Sequence, residues 1–290
     1  MSQIFDALHQ SATEGTGNGV REFLAAKELF QVVERKAATS TLPADPPAAA
    51  PSREIVRQYP EVHVTLQEHS KFVCFAETES LAAEKFRFLA TRLRHLQEKR
   101  SLKRLVITSS VTGEGKSIVS ANLACALAAG KQQVLLVEGD LRRPSLGHQL
   151  GLQELPGLSQ IFSGVGEAQD SIYSLAESGL CVLLAGDAQN NPLGFMEAGK
   201  LSTLMDQISL PFDWVIVDSP PVLPLADTSI WTRMADGILL VTRPGVTSKR
   251  QLQRSFEALE QSKLLGSVLN GSGETTTNRY YYHYTRSGDL

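Results

Sequence analysis

The sequence contains few cysteines and no pattern that would join them into a disulfide framework or a metal site. Cys74, Cys125 and Cys181 are widely spaced, odd in number, and free of any C-x-x-C arrangement. Isolated cysteines of this kind most often pack in a core. This usage disfavours a disulfide-stabilised secreted fold and a thiolate zinc site, and it fits a reducing, cytoplasmic location.

Long apolar runs and an excess of basic charge are also missing. No apolar stretch approaches the roughly 18–20 residues of a membrane-spanning helix, and the first residues lack the layout of a signal peptide. The net charge of −3 leaves no basic footprint for nucleic acid. We therefore expect no membrane span and no nucleic-acid partner, so that any link to a membrane comes through a partner protein.

Composition divides the chain into four parts. Residues 1–36 are predicted to be helical and are a candidate docking segment, and residues 37–58, rich in Ala and Pro, are typical of a linker. A compact domain is predicted over 59–270. A tail over 271–290, flexible by composition, carries four of the six tyrosines: Tyr280, Tyr281, Tyr282 and Tyr284.

Apolar strands alternate with helices through the compact domain. Strands are predicted over 104–109, 133–137, 180–184, 214–217, 237–241 and 265–269, and helices over 78–97, 118–129, 195–208, 226–234 and 248–261. This alternation is typical of a parallel sheet that is covered on both faces. The predicted fold class is α/β, a three-layer P-loop NTPase-like fold with a mostly parallel sheet, and ligands are expected at the carboxyl ends of the strands.

The stretch 110–117 (SVTGEGKS) predicts a phosphate-binding loop. It follows G-x-x-x-x-G-K-[ST] except that Ser110 stands at the first position, and it lies between an apolar strand and a helix of small residues, as the motif requires. Glycines let backbone N–H groups turn toward an anion, and the helix N-terminus adds its positive dipole end. An ordinary strand-to-helix turn is the alternative. Nucleotide contacts are expected from Thr112, Gly113, Glu114, Gly115, Lys116, Ser117 and Ile118.

Acidic residues follow two of the predicted strands. Asp218 ends the strand over 214–217, while Glu138 and Asp140 follow the strand over 133–137. Carboxylates beside a phosphate-binding loop are placed to hold Mg²⁺ and to help deprotonate a hydroxyl nucleophile, and a following arginine can stabilise the transferring phosphoryl group. A loop-capping aspartate and a solvated turn with a local ion pair are the alternatives. The expected metal ligands are Ser117, Glu138, Asp140 and Asp218.

Three segments, taken in their order along the chain, resemble motifs of the bacterial tyrosine kinase family. The resemblance is to the cytoplasmic CpsD/CapB type, within the P-loop MinD/ParA-like superfamily. The segments are 108–117 (TSSVTGEGKS), 134–144 (VLLVEGDLRRP) and 215–221 (VIVDSPP). Further matching pieces are 235–241, 265–270 and the tyrosine-rich 280–284. The resemblance covers roughly residues 76–290.

The resemblance implies an ATP·Mg²⁺-dependent protein-tyrosine autokinase that phosphorylates tail tyrosines of a neighbouring copy within an oligomeric ring. It implies Walker A roles for Lys116 and Ser117, the second acid of the A′ motif for Asp140, and the Walker B acid for Asp218. Arg142 completes the expected catalytic set. The implied partner is a membrane chain-length-determinant or polysaccharide co-polymerase protein in exopolysaccharide or capsule export, which would hold the kinase against the inner membrane.

The sequence departs from the family pattern at two positions, and its tyrosine cluster is short, so that few acceptors are present. Glu138 stands where the A′ motif normally begins with Asp, and Ala90 replaces the second arginine of the Glu-x-x-Arg-x-x-Arg oligomerisation motif that starts at Glu84. Glutamate is one methylene longer than aspartate, so the carboxylate lies in a different place and the metal geometry changes. The missing arginine is expected to affect the stability of the oligomeric ring. Both departures motivate an alternative function, a catalytically weak nucleotide-binding regulator of the export complex.

A second alternative is a ParA/MinD-type ATPase that positions a protein or membrane complex. That class carries a signature lysine five residues before the invariant lysine. The corresponding residue here is Val111. This difference and the tyrosine-rich tail favour the kinase.

Overall fold

The computed structural model describes residues 59–66, 70–165, 167–187, 198–223 and 227–271. Nearly all of them belong to one compact unit, 43–268, and only 269–271 of them fall in the other unit, which comprises 1–42 and 269–290. The predicted docking segment, the linker and the tail tyrosines lie outside the described residues, so these predictions stay predictions.

Within the described residues, eight strands form one sheet in the order β1-β4-β5-β3-β6-β2-β7-β8. The pairs of β2 with β6 and β7 are parallel, as are the pairs of β3 with β5 and β6, while β4 and β5 are antiparallel. The mostly parallel sheet expected from the sequence is therefore confirmed. The strands are β1 (Glu61–Val62), β2 (Arg104–Ser109), β3 (Val134–Glu138), β4 (Ile172–Leu175), β5 (Cys181–Leu183), β6 (Trp214–Asp218), β7 (Gly237–Thr242) and β8 (Leu264–Leu269).

The described helices include the five that the sequence predicted, with ends shifted by a few residues. Ser80 begins the long α2 by accepting a hydrogen bond from the Ala83 amide at 3.2 Å, and Ser248 caps α8 in the same way. None of these helices combines the length and apolar character needed to span a bilayer. The helices are α1 (Val73–Ala76), α2 (Leu81–Gln97), α3 (Lys116–Ala129), α4 (Leu146–Leu150), α5 (Leu158–Phe162), α6 (Ala198–Ser209), α7 (Asp227–Met234) and α8 (Lys249–Ala258).

The central strands are mostly apolar because both faces of the sheet are covered. Every residue of β3, β6 and β7 is buried. Helix α3 is buried over most of its length, and its small residues, such as Ala121 and Ala124, let it lie close to the sheet.

The register of the central strands brings the predicted functional residues to one edge. Glu138 at the end of β3 is paired with Asp218 at the end of β6, and Asp218 is also paired with Ile107 of β2. Since these strands are parallel, the loop that follows β2 and the acidic turns that follow β3 and β6 emerge side by side. The fold thus assembles the site from three separate parts of the chain.

Candidate active site

The loop between β2 and α3 has the conformation of a phosphate-binding loop. Gly113 and Gly115 have φ angles of 85° and 89°, in the left-handed region that favours glycine. Helix α3 begins directly after Gly115, at Lys116. Ser110 is not among the residues with positive φ, so that serine fits the position where the motif usually has glycine.

Glu114 is a fully buried carboxylate inside this loop. Its Oε2 accepts a hydrogen bond from the Val111 amide at 2.7 Å, and its Oε1 accepts one from the hydroxyl of Thr247. The guanidinium of Arg243 also donates to the Gly113 carbonyl at 3.3 Å. The phosphate-binding loop is therefore tied to the loop between β7 and α8, an arrangement that the motif alone does not reveal.

The side chain of Lys116 contacts Asp140, one of the three predicted acids. Its Nζ lies 3.1 Å from Oδ2 of Asp140, and the two side chains are 13% and 4% exposed. Burial by itself would lower the pKa of Lys116, but the charges of Asp218 and Asp140 outweigh it and raise this pKa above its ordinary value. The ammonium group thus stays charged at the mouth of the phosphate-binding loop.

Asp218, the last residue of β6, lies at the bottom of the site. It is almost completely buried, and this burial raises the pKa of its carboxyl group to about 7, although Lys116 and a hydrogen bond from Ser117 pull it down. Such a carboxylate is poorly solvated and gains strongly from a nearby cation.

Glu138 is placed differently from the other two acids. Its Oε1 accepts hydrogen bonds from the amides of Ser145 and Leu146, both at 2.6 Å, and its Oε2 accepts one from the amide of Ala185 at 3.1 Å. The carboxylate therefore caps the start of α4 and holds the segment that follows β5. Burial raises the pKa of Glu138, against the opposing effect of these amides. Its role as a metal ligand stays a prediction.

Arg142 is paired with an acid that the sequence analysis did not single out. Its guanidinium contacts both carboxylate oxygens of the buried Asp227, the first residue of α7. The amide of the adjacent Arg143 donates to Oδ1 of Asp140 at 3.1 Å. One turn of α7 further on, the indole of Trp231 donates to the carbonyl of Gly139 at 3.1 Å. Nothing in the local sequence of α7 indicates either contact.

The donors at this edge suit Mg²⁺ bound together with a nucleotide. Among the described residues no group of three or more His, Cys, Asp or Glu side chains is arranged to hold a metal. The hydroxyl of Ser117 and the carboxylates of Asp140 and Asp218 nevertheless converge near Lys116. Mg²⁺ typically takes one or two carboxylates from the protein and its other ligands from phosphates and water.

A cavity of about 620 Å³ opens beside the A′ turn, which we define as residues 138–144. Arg142 and Pro144 of this turn line one side of it, while Glu154 and Gln160 line another. The cavity lies at the same edge of the sheet as the phosphate-binding loop, because it is built on the segments that follow β3 and β5.

Comparison with known proteins places the chain in a family. The ParA family model, described as NUBPL iron-transfer P-loop NTPase, matches residues 101–280. The tyrosine-protein kinase YwqD of Bacillus subtilis (strain 168) is 33% identical over 216 residues, which are 74% of this chain and 91% of that protein. The chain belongs to the bacterial tyrosine kinase family. The putative tyrosine-protein kinase CapB of Staphylococcus aureus is 29% identical over 208 residues, 71% of this chain and 91% of that protein.

Solved structures of bacterial tyrosine kinases have the same fold. The kinase domain of Escherichia coli ETK has a TM-score of 0.66 and 28% identity, covering 72% of this chain and 85% of that domain. The chimerical protein CapA2B2 has a TM-score of 0.67 and 28% identity, covering 77% of this chain and 100% of that protein. The P-loop NTPase-like fold and the family predicted from three sequence segments are confirmed, and with them the assignment to protein-tyrosine kinases.

Proposed function

We propose that the protein is an ATP- and Mg²⁺-dependent protein-tyrosine autokinase whose acceptors are Tyr280, Tyr281, Tyr282 and Tyr284 of another copy. The observation that carries this proposal is the contact of the Lys116 ammonium with Asp140, 3.1 Å away, at the N-terminus of α3 and above the buried Asp218. A phosphate cradle beside two carboxylates is the arrangement that phosphoryl transfer requires.

Each part of the site has a role in this reaction. Backbone amides of residues 112–118 and the Lys116 ammonium bind the phosphates. Ser117, Asp140 and Asp218 hold Mg²⁺, which when bound neutralises charge on the β- and γ-phosphates. Glu138, whose oxygens accept hydrogen bonds from three backbone amides, supports the A′ turn.

The transfer itself joins the tyrosine phenol oxygen to the γ-phosphorus as the bond between that phosphorus and the bridging oxygen of ADP breaks. We assign the phenol proton to Asp140, because Asp140 belongs to the A′ turn, whose Arg142 and Pro144 line the cavity, whereas Asp218 ends β6 and accepts a hydrogen bond from Ser117. Arg142, anchored by Asp227 at the rim of that cavity, stabilises negative charge on the transferring group.

We further propose that the kinase regulates exopolysaccharide or capsule polymerisation and export. It would act with a membrane chain-length-determinant or polysaccharide co-polymerase protein that activates it and holds it at the inner membrane. The support is the resemblance of three motifs to kinases of polysaccharide export, together with the similarity to the protein named CapB. Self-association is part of the proposal, since the acceptor tyrosines are on another copy.

The experiment that tests the autokinase uses the full chain, labelled ATP and Mg²⁺, with the label mapped by mass spectrometry. We expect label on the four tail tyrosines, and Lys116→Met is expected to lose it. ATP binding without label would instead support the nucleotide-binding regulator. Steady ATP hydrolysis without label would support the ParA/MinD-type ATPase.

A further inference from the structure

Helix α7 contacts both acidic turns of the site. Trp231, only 1% exposed, donates its indole N–H to the carbonyl of Gly139, in the middle of the Glu138–Asp140 sequence. One turn earlier, the hydroxyl of the buried Thr228 donates to the carbonyls of Pro220 and Pro221, both at 3.0 Å. These two prolines follow Asp218 by two and three residues. The helix therefore contacts the segments that carry Asp140 and Asp218.

The packing at Gly139 leaves no room for the turn to shift toward α7. A Cβ atom on Gly139 would lie 2.8 Å from Cε2 of Trp231 and 3.0 Å from Cγ1 of Val217. The amide of Gly139 donates to the carbonyl of Asp218 at 2.8 Å. Gly139 is thus held on both sides, by β6 through its amide and by Trp231 through its carbonyl.

The hydrogen bond from Trp231 reaches Asp140 through the peptide plane. The carbonyl of Gly139 and the amide of Asp140 belong to one planar peptide unit, so that fixing the first fixes the orientation of the second. The direction of the Asp140 side chain toward Lys116 then depends on that plane. Without the indole donor, the buried carbonyl would lose its partner and the peptide could rotate to find another.

We propose that Trp231 is a positioning residue of the magnesium–nucleotide site, acting through Gly139 to hold Asp140 opposite Lys116. This inference rests on the proposed function in that Asp140 is taken as a metal-binding acid. Trp231 itself touches neither nucleotide nor metal. Partners that orient ligating groups typically change metal affinity by about 10–100-fold when they are removed.

The chain offers a matched control for the test, because it contains two buried tryptophans. Trp214, at the start of β6, is fully buried, and its indole nitrogen has no hydrogen-bond partner among the described residues. Trp231→Phe and Trp214→Phe both replace a buried indole by a smaller ring. Only the first removes a hydrogen bond to the A′ turn.

The experiment measures binding of a fluorescent ADP analogue to the full chain, first in EDTA and then with increasing Mg²⁺. For Trp231→Phe we expect the half-saturating Mg²⁺ concentration to rise about tenfold, with affinity in EDTA unchanged. For Trp214→Phe we expect both quantities to stay at wild-type values even where the melting temperature falls. Because this readout needs no tyrosine phosphorylation, it is independent of whether the chain proves to be an autokinase.

Three outcomes would overturn the proposal. The first is a half-saturating Mg²⁺ concentration that stays unchanged in Trp231→Phe. The second is a loss of ADP affinity in this variant that is as large in EDTA as in Mg²⁺. The third is a rise of the half-saturating Mg²⁺ concentration in Trp214→Phe that equals the rise in Trp231→Phe. If Trp231→Phe does not fold, Trp231→3-benzothienylalanine, in which sulfur replaces only the N–H, is judged by the same criteria.

Discussion

At the scale of single residues, the site depends on charged groups that are removed from water. Lys116, Asp140 and Asp218 are each largely buried, and each carries a cost of desolvation that only its neighbours offset. The offset is incomplete for Asp218, because the pKa of its carboxyl group is raised to about 7. A cation bound with the nucleotide would offset the remaining desolvation cost of Asp218.

Asp218→Asn should therefore make the nucleotide-free protein more stable at pH 8. The pKa of Asp218 is about 7 in the folded protein, above its ordinary value of 3.8, so that between these values the folded state holds a proton that the unfolded state has lost. The free energy of unfolding then falls as pH rises through this window. We expect the variant to gain at least about 1 kcal/mol at pH 8, the equivalent of roughly one pKa unit, and to gain nothing near pH 4.

Urea unfolding in EDTA at a series of pH values measures this difference. Asp206→Asn changes a carboxylate that is 60% exposed and paired with Arg104, and it serves as the control for replacing an aspartate outside the site. A variant at position 218 that is less stable than the wild type at pH 8 would show that the ionised carboxylate is already well compensated.

Glu138 allows the capping role of a buried acid to be separated from metal binding. In Glu138→Gln, an NH₂ group replaces one acceptor oxygen and faces a backbone N–H, either at Ala185 or at Ser145 and Leu146. We expect a loss of about 1–3 kcal/mol in the free energy of unfolding, measured by urea titration, while the Mg²⁺ dependence of nucleotide binding stays unchanged. A raised Mg²⁺ requirement without loss of stability would identify Glu138 as a metal ligand.

At the scale of elements, loops that are far apart in the chain hold the site in shape. The phosphate-binding loop is joined to the loop between β7 and α8 by the hydrogen bond of Thr247 with Glu114. The A′ turn is joined to α7 through Asp227 and Trp231. These polar links join segments that are far apart in the chain and so help to fix their relative positions.

Thr247→Val should weaken nucleotide binding without a direct contact to the nucleotide. Valine keeps the shape of threonine but removes the hydrogen bond from the hydroxyl to the buried Glu114, a loss of about 0.5–1.5 kcal/mol or more. We expect a lower melting temperature and a weaker affinity for a fluorescent ADP analogue. Thr247→Ser keeps the hydroxyl and should retain most of the affinity; equal losses in the two variants would argue against the hydrogen bond.

At the scale of the whole molecule, the proposed reaction requires an acceptor tail and an active site on different copies. The proposed acceptors follow a segment over 271–278 that is rich in Gly, Ser and Thr, a composition typical of linkers. Tyrosines on such a segment can enter the site of a neighbouring copy, and the phosphates they gain would repel one another. The reaction should therefore depend on encounters between copies.

Lys116→Met protein should accordingly be labelled when it is mixed with the wild type, because its tail is intact while its own site is not. The initial rate of labelling should rise roughly with the square of the wild-type concentration in the dilute range. Replacement of all four tail tyrosines by phenylalanine should remove the label and leave ADP binding unchanged. A rate proportional to concentration, with an unlabelled Lys116→Met partner, would indicate transfer within one copy.

The sequence by itself determined the fold class, the phosphate-binding loop and the acids at the strand ends. These features are local: Gly113 and Gly115 supply the left-handed turn, and the apolar runs over 133–137 and 214–217 end close to acidic residues. The short elements β1, β4, α1, α4 and α5 were not predicted, since two to five residues are too few to show a helical or strand period.

Only the tertiary structure decided which groups hold the site together. Arg142 and Asp227 are 85 residues apart in the chain, Gly139 and Trp231 are 92 apart, and Glu114 and Thr247 are 133 apart. Each contact arises because β2, β3, β6 and β7 lie side by side in the sheet, so that the segments following them meet at one edge. No local sequence pattern predicts these contacts, because they depend on the order of the strands in the sheet.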